Sequence, residues 1–301
     1  MSFKERPVEQ ILEEYKEAID WVNSFIPNIK PTSRIYKYLE LLETYVRLNR
    51  EGVNGSFSLL DVLDAHQKSD LLIQIYKKFQ ARREKEFIDK LSSYFFGPVN
   101  THDEVLHGSG PSKSSYGRDI ESEFYFATKV KEPEIVSFQG NDVVYDLKEF
   151  KFGVEVKRIH SLDKIEKNFE IACNQIETAP SVKYGMVGFR FDNHFLKKTD
   201  FGVELIDRSK NILNFEERAD CFKYAEYQTK FFAKKYGQSL LELSKSFPKV
   251  LGFSVFGQFP GKINTTGIPF LAGHFSYCWF GGVGKPSQDV FVKMTNEFEN
   301  P

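Results

Sequence analysis

The spacing of apolar residues changes period once along this chain, and the change divides it in two. Up to about residue 96 the apolar positions recur every three or four residues: Ile11, Leu12, Tyr15, Ile19, Val22 and Phe25, then Tyr38, Leu41, Leu42, Tyr45 and Leu48. That is the period of helices burying one stripe. Helices are predicted from Val8 to Phe25, from Pro31 to near Gly52, and from Ser58 onward, the last leading into Leu71 to Phe96. After the stretch GPVNTHDEVLHGSGPSKSSYG, rich in Gly, Ser and Pro, strands alternate with helices. Strands are expected at 135–138, 142–147, 152–159, 184–191, 250–256, 269–280 and 290–294. Helices are expected at 119–130 and 162–178, with two between 215 and 247. The fold class is therefore α+β, a mixed sheet flanked by helices behind an all-helical N-terminal region. The divisions are 1–96 helical, 97–116 linker and 117–301 sheet domain.

Composition excludes several classes. Lys and Arg number 41 against 42 Asp and Glu, a net charge of -1, so the chain is neither histone-like nor acid-tailed. Local basic patches are not excluded by a neutral total. One such face holds Lys77, Lys78, Arg82, Arg83, Lys85 and Lys90; ordinary solvated helix surface is the first reading and a nucleic-acid contact the alternative. With 41% hydrophobic residues and 30 Phe, the chain has ample material for a core. No apolar run approaches the roughly 20 residues of a membrane span, so no membrane partner is expected. The opening MSFKERPVEQ has no secretory apolar region. Cys173, Cys221 and Cys278 are an odd, scattered set, without the spacing of a zinc site or a disulfide framework. A reducing cytoplasm is the expected compartment.

The chemistry concentrates in GNDVVYDLKEFKFGVEVKRIHS, residues 140–161. In the strand 152–159, Glu155 and Lys157 share one face, while Val154 and Val156 point to the core from the other. Opposite charges amid aliphatic residues are costly unless they bind something. A hairpin closed by Lys148–Lys151 sets Asp142 opposite Lys157 and Val144 opposite Glu155, with Asp146 nearer the turn, opposite Gly153. Asp142 is preferred as the second carboxylate, and Asp146 is the alternative if the register slips. Upstream, Glu121 on the helix after Gly117, or Glu123 beside it, is a third carboxylate that would complete an oxygen-rich site of the kind Mg²⁺ takes.

These residues resemble the motifs of the PD-(D/E)xK nuclease superfamily, the restriction-endonuclease-like fold, whose core runs helix, three strands, helix, strand. The first acidic position falls on Asp142, preceded by Asn141 where the pattern usually has proline. The ExK motif falls on Glu155 and Lys157, and the first-helix glutamate on Glu121. The resemblance covers residues 117–192 and also carries over Gln175, on the second core helix, as a site residue. It implies a Mg²⁺- or Mn²⁺-dependent nuclease with Asp142, Glu155 and Glu121 as metal ligands and Lys157 as the catalytic cation. The substrate it implies is nucleic acid, DNA before RNA, with restriction or antiphage defence as the setting.

The competing expectation is a catalytically inactive, nuclease-like binding or scaffolding protein of a larger assembly. Residues 1–96 offer no catalytic set. Their apolar residues, among them Trp21, Phe25, Ile35 and Tyr36, suggest a dimer or partner contact.

Overall fold

The computed structural model describes residues 7–52, 59–95, 113–139, 141–159, 161–191, 205–207, 212–263, 269–281 and 288–297. Most of the expected linker, with the turn at Asn54–Gly55, lies outside them. The chain divides into two compact units, Met1–Thr128 and Lys129–Pro301.

The first unit is helical, with α1 (Val8–Asn23), α2 (Arg34–Glu51), α3 (Leu59–Phe79), α4 (Lys85–Tyr94) and α5 (Lys113–Ala127). Each helix turns its apolar stripe inward, and Ile11, Tyr15, Leu42, Ile73, Phe87 and Phe124 are sealed from solvent. The helix expected to run from Leu71 to Phe96 is broken at residues 80–84. There the extended Glu84 begins α4, accepting from the Ile88 amide, and its carboxylate is held by Arg82.

Of the apolar residues that suggested a partner surface, Phe25 and Tyr36 are half-buried. Ile35 and Trp21 are buried, and Trp21 packs on Phe25, Tyr76 and Phe87. Much of the basic face is paired with acids: Lys77 with Glu14, Arg82 with Glu84, Lys85 with Asp89 and Lys90 with Glu123.

Sequence patterning puts a boundary at 116/117, whereas the contacts put it after Thr128. The cause is α5. Its Ile120, Phe124, Phe126 and Ala127 are buried, and Phe124 meets the rings of Phe87 and Tyr94 edge-on from α4.

The second unit is one mixed sheet with helices. Its strands are β1 (Val136–Ser137), β2 (Val143–Asp146), β3 (Lys151–Arg158), β4 (Tyr184–Arg190), β5 (Leu205–Asp207), β6 (Ile212–Phe215), β7 (Val250–Ile263) and β8 (Pro269–Trp279). Their order is β1-β2-β3-β4-β7-β6-β5, with β8 paired to β7. β1, β2 and β3 are antiparallel neighbours, and β3 and β4 run parallel, joined through α6 (Ile165–Thr178). A parallel pair needs such a crossover. α6 supplies Phe169, which packs against Phe189 of β4.

Two expectations fail here. The region 215–247 holds one helix, α7 (Arg218–Ser244), which runs unbroken through Gly237. Residues 290–294 form part of α8 (Gln288–Asn296) and not a strand. An apolar run that short fits either period; here Met294 is buried while Val292 is exposed. No described helix is long and apolar enough to cross a membrane.

Candidate active site

The β2–β3 hairpin turns through Leu147–Phe150, where the Leu147 amide donates to the Phe150 carbonyl and Lys148 adopts a left-handed φ of 64°. The turn centre is one residue earlier than the sequence suggested, which slides the register by two. Val143 pairs with Val154, Val144 with Gly153 and Asp146 with Lys151. Asp142 therefore comes level with Glu155 instead of Lys157. A slip of two preserves the face, since strand side chains alternate, so Asp142, Glu155 and Lys157 still share one side.

Asp146 ends at the turn, exposed, 3.8 Å from Lys151. Asp142 is tied to the other end of the hairpin. Its Oδ2 accepts from the Val156 amide at 2.7 Å, and its own amide donates to Glu155 Oε1 at 3.3 Å. The Asn141 side-chain amide donates to the same Oε1 at 2.6 Å. Lys157 Nζ donates to Glu155 Oε2 at 3.1 Å.

Glu155 was expected on a face turned away from the core, and it is only 1% exposed. In β3 both faces are covered. Glu155 and Lys157 sit beside Val187 and Phe189 of β4, on the side over which α6 lays Phe169, and Val154 and Val156 on the opposite side are buried too. Lys157 keeps 21% of its side chain in solvent. Burial, and then the neighbouring charge of Asp142, push the Glu155 carboxyl above the ordinary glutamate range, and Lys157 and Asn141 pull it back only in part.

The two remaining candidates lie on helices, Gln175 on α6 and Glu121 on α5. Gln175 is exposed on α6. It lies about 200° around the helix from Glu177, whose carboxylate accepts from the Lys249 amide ahead of β7. Gln175 is thus turned away from β7, but level with Ile176, which packs over Gly185. Gly185 pairs with Gly153, two residues short of Glu155.

Glu121 is buried in the helical unit with both oxygens engaged. Oε1 accepts from Lys68 at 2.5 Å and Oε2 from Arg34 at 3.2 Å. Both cations are themselves buried. Glu123 is paired with Lys90. Among the described residues, no group of three or more Asp, Glu, His or Cys is placed to hold a metal, so the cluster offers two carboxylates and a lysine.

Asn141 is the residue whose contribution the sequence did not suggest. Its signals were an amide at the position before Asp142, and a glycine, Gly153, inside an otherwise aliphatic strand.

Compared with models of known families, with curated proteins and with solved structures, the chain matches none.

Proposed function

We propose that this protein is a metal-dependent nuclease that hydrolyses phosphodiester bonds, with DNA as the first substrate class and restriction or antiphage defence as its setting. The observation that carries this reading is the bonded cluster of Asp142, Glu155 and Lys157 at the open end of the β2–β3 hairpin. The chain order also supports it. Helix α5, strands β1 to β3, helix α6 and strand β4 follow the sequence of elements that a restriction-endonuclease-like core has, including the antiparallel hairpin and the parallel β3–β4 pair.

The residues present suit Mg²⁺ or Mn²⁺. Both donors are carboxylates, the hard oxygen ligands these ions prefer. Burial and then the charge of Asp142 raise the Glu155 carboxyl, and a divalent cation beside the two carboxylates would offset that repulsion. Asp142 and Glu155 would hold the ion. Glu121 is left out of the set because its two oxygens already serve Lys68 and Arg34.

Bound there, the ion supplies charge neutralisation for the phosphodiester and its attacking water. The chain's own groups do the rest. Glu155 fixes Lys157 through Oε2, and the part-exposed ammonium is left to orient water or a phosphoryl oxygen. Water adds to phosphorus and gives up a proton to solvent, the bond to the leaving sugar oxygen breaks, and that oxygen takes up a proton from solvent.

The test is a cleavage assay on DNA and RNA with Mg²⁺, Mn²⁺ or EDTA. Wild type should cleave only with the metal. Lys157→Ala and Asp142→Ala should fold, bind nucleic acid and lose at least about a hundredfold in rate, the scale of general acid–base and electrostatic groups. Cleavage in EDTA, or full activity in Lys157→Ala, overturns the mechanism. The missing third acidic ligand among the described residues favours a second reading, a nuclease-like domain that binds nucleic acid without cutting it. Binding by wild type with no cleavage in either metal would select it.

A further inference from the structure

We propose that Asn141, seated over Gly153, is the positioning residue that holds Glu155 in place for the cation, an inference that rests on the metal-dependent reading above.

Asn141 is buried, and the two ends of its amide are treated unequally. The nitrogen donates to Glu155 Oε1 at 2.6 Å, while Oδ1 is buried without a hydrogen-bond partner. A buried acceptor left unsatisfied is destabilising. The amide accepts that cost because turning it over would bring its oxygen against a carboxylate oxygen. Its orientation is therefore dictated by Glu155.

The seat is equally specific. A Cβ added to Gly153 would stand 2.8 Å from Asn141 Oδ1 and 3.0 Å from a methyl of Val182, closer than side chains pack. Glycine weakens a strand interior and marks a close approach. Here the group that approaches is the Asn141 amide, and the residue across from Gly153 on β2 is Val144. Asn141 and the Asp142 amide together fix Oε1, and Lys157 holds Oε2. The Glu155 carboxylate is thus oriented by the protein's own groups. Partners that orient ligands in this way typically govern affinity by about 10- to 100-fold.

The experiment measures Mn²⁺ binding by electron paramagnetic resonance, cleavage rate against Mn²⁺ concentration, and thermal unfolding without metal. It compares wild type, Asn141→Ala, Gly153→Ala and the double variant Asn141→Ala/Gly153→Ala. Asn141→Ala and Gly153→Ala should each weaken Mn²⁺ binding by about tenfold, with the cleavage rate at saturating Mn²⁺ falling by less than the affinity. Gly153→Ala should lower the melting temperature more in the wild-type background than in Asn141→Ala, where the contact with Asn141 is gone and only the Val182 methyl remains. Should Asn141→Ala fail to fold, Asn141→Leu keeps the volume without the donor and is expected to show the same loss of Mn²⁺ affinity.

Wild-type Mn²⁺ affinity in a folded Asn141 variant, or equal cost of Gly153→Ala in both backgrounds, overturns the inference while the nuclease reading stands. A wild type that neither binds Mn²⁺ nor cleaves overturns both.

Discussion

Glu121 and Glu155 are both only 1% exposed, and the helical and sheet units set different groups around them. In the helical unit Arg34 and Lys68 both close on the Glu121 carboxylate, with Tyr94 stacked 4.6 Å from the guanidinium and its carbonyl accepting from Arg34. Three charges there tie α2, α3 and α5 together. In the sheet unit Glu155 shares its surroundings with a second carboxylate and one lysine. In the first arrangement both oxygens of Glu121 accept from cations. In the second, one oxygen accepts from Lys157 and the carboxyl also faces the charge of Asp142. A buried glutamate announces nothing alone; the groups that face it differ between the two units.

Replacing each glutamate is the most direct way to break this contrast. Glu121→Ala strands two buried cations, and removing one partner of a buried ion pair costs about 3–5 kcal/mol, so chemical denaturation should show the helical unit failing first. If Glu121→Ala unfolds like wild type and loses only metal response, the contrast is wrong and Glu121 belongs with the metal ligands.

Adding Mg²⁺ should stabilise wild type by about 2.7 kcal/mol at a hundred times its dissociation constant. That stabilisation should disappear in Asp142→Asn, which keeps an acceptor for the Val156 amide but removes the charge. An equal shift in both proteins would mean the ion binds elsewhere.

A smaller effect concerns pH. Because the Glu155 carboxyl is raised in the fold, the folded protein binds a proton that the unfolded chain has already released. Metal-free stability should therefore fall as pH rises from the ordinary glutamate range through the raised value, and level off above it. In Glu155→Gln that decline should flatten. A decline of wild-type size in Glu155→Gln assigns it to other groups.

The smallest effect sharpens the choice between the two aspartates of the hairpin. Asp146 is exposed beside Lys151, and exposed pairs contribute little, so Asp146→Ala should leave both the melting temperature and cleavage at wild-type levels. Loss of cleavage there would move the first carboxylate to the turn.

Sequence alone determined a good deal of this protein. A change of apolar period marked a helical part and a mixed α+β part, and alternation placed Glu155 and Lys157 on one face of a strand. It also put Asp142 on that face, because a register error of two leaves parity intact. These are local properties, set by repeat lengths of 3.6 and 2 that any stretch of chain carries with it.

The tertiary structure decided what local pattern does not contain. It gave α5 to the helical unit, because Phe124 finds its ring partners on α4. It buried Glu155 on a strand covered from both sides, through the pairing of β3 with a parallel neighbour. It closed Arg34 and Lys68, each more than fifty residues away in sequence, onto Glu121. And it set Asn141 over Gly153. Charge balance around a buried group is summed over neighbours in space, so it appears only once the chain has brought distant residues together.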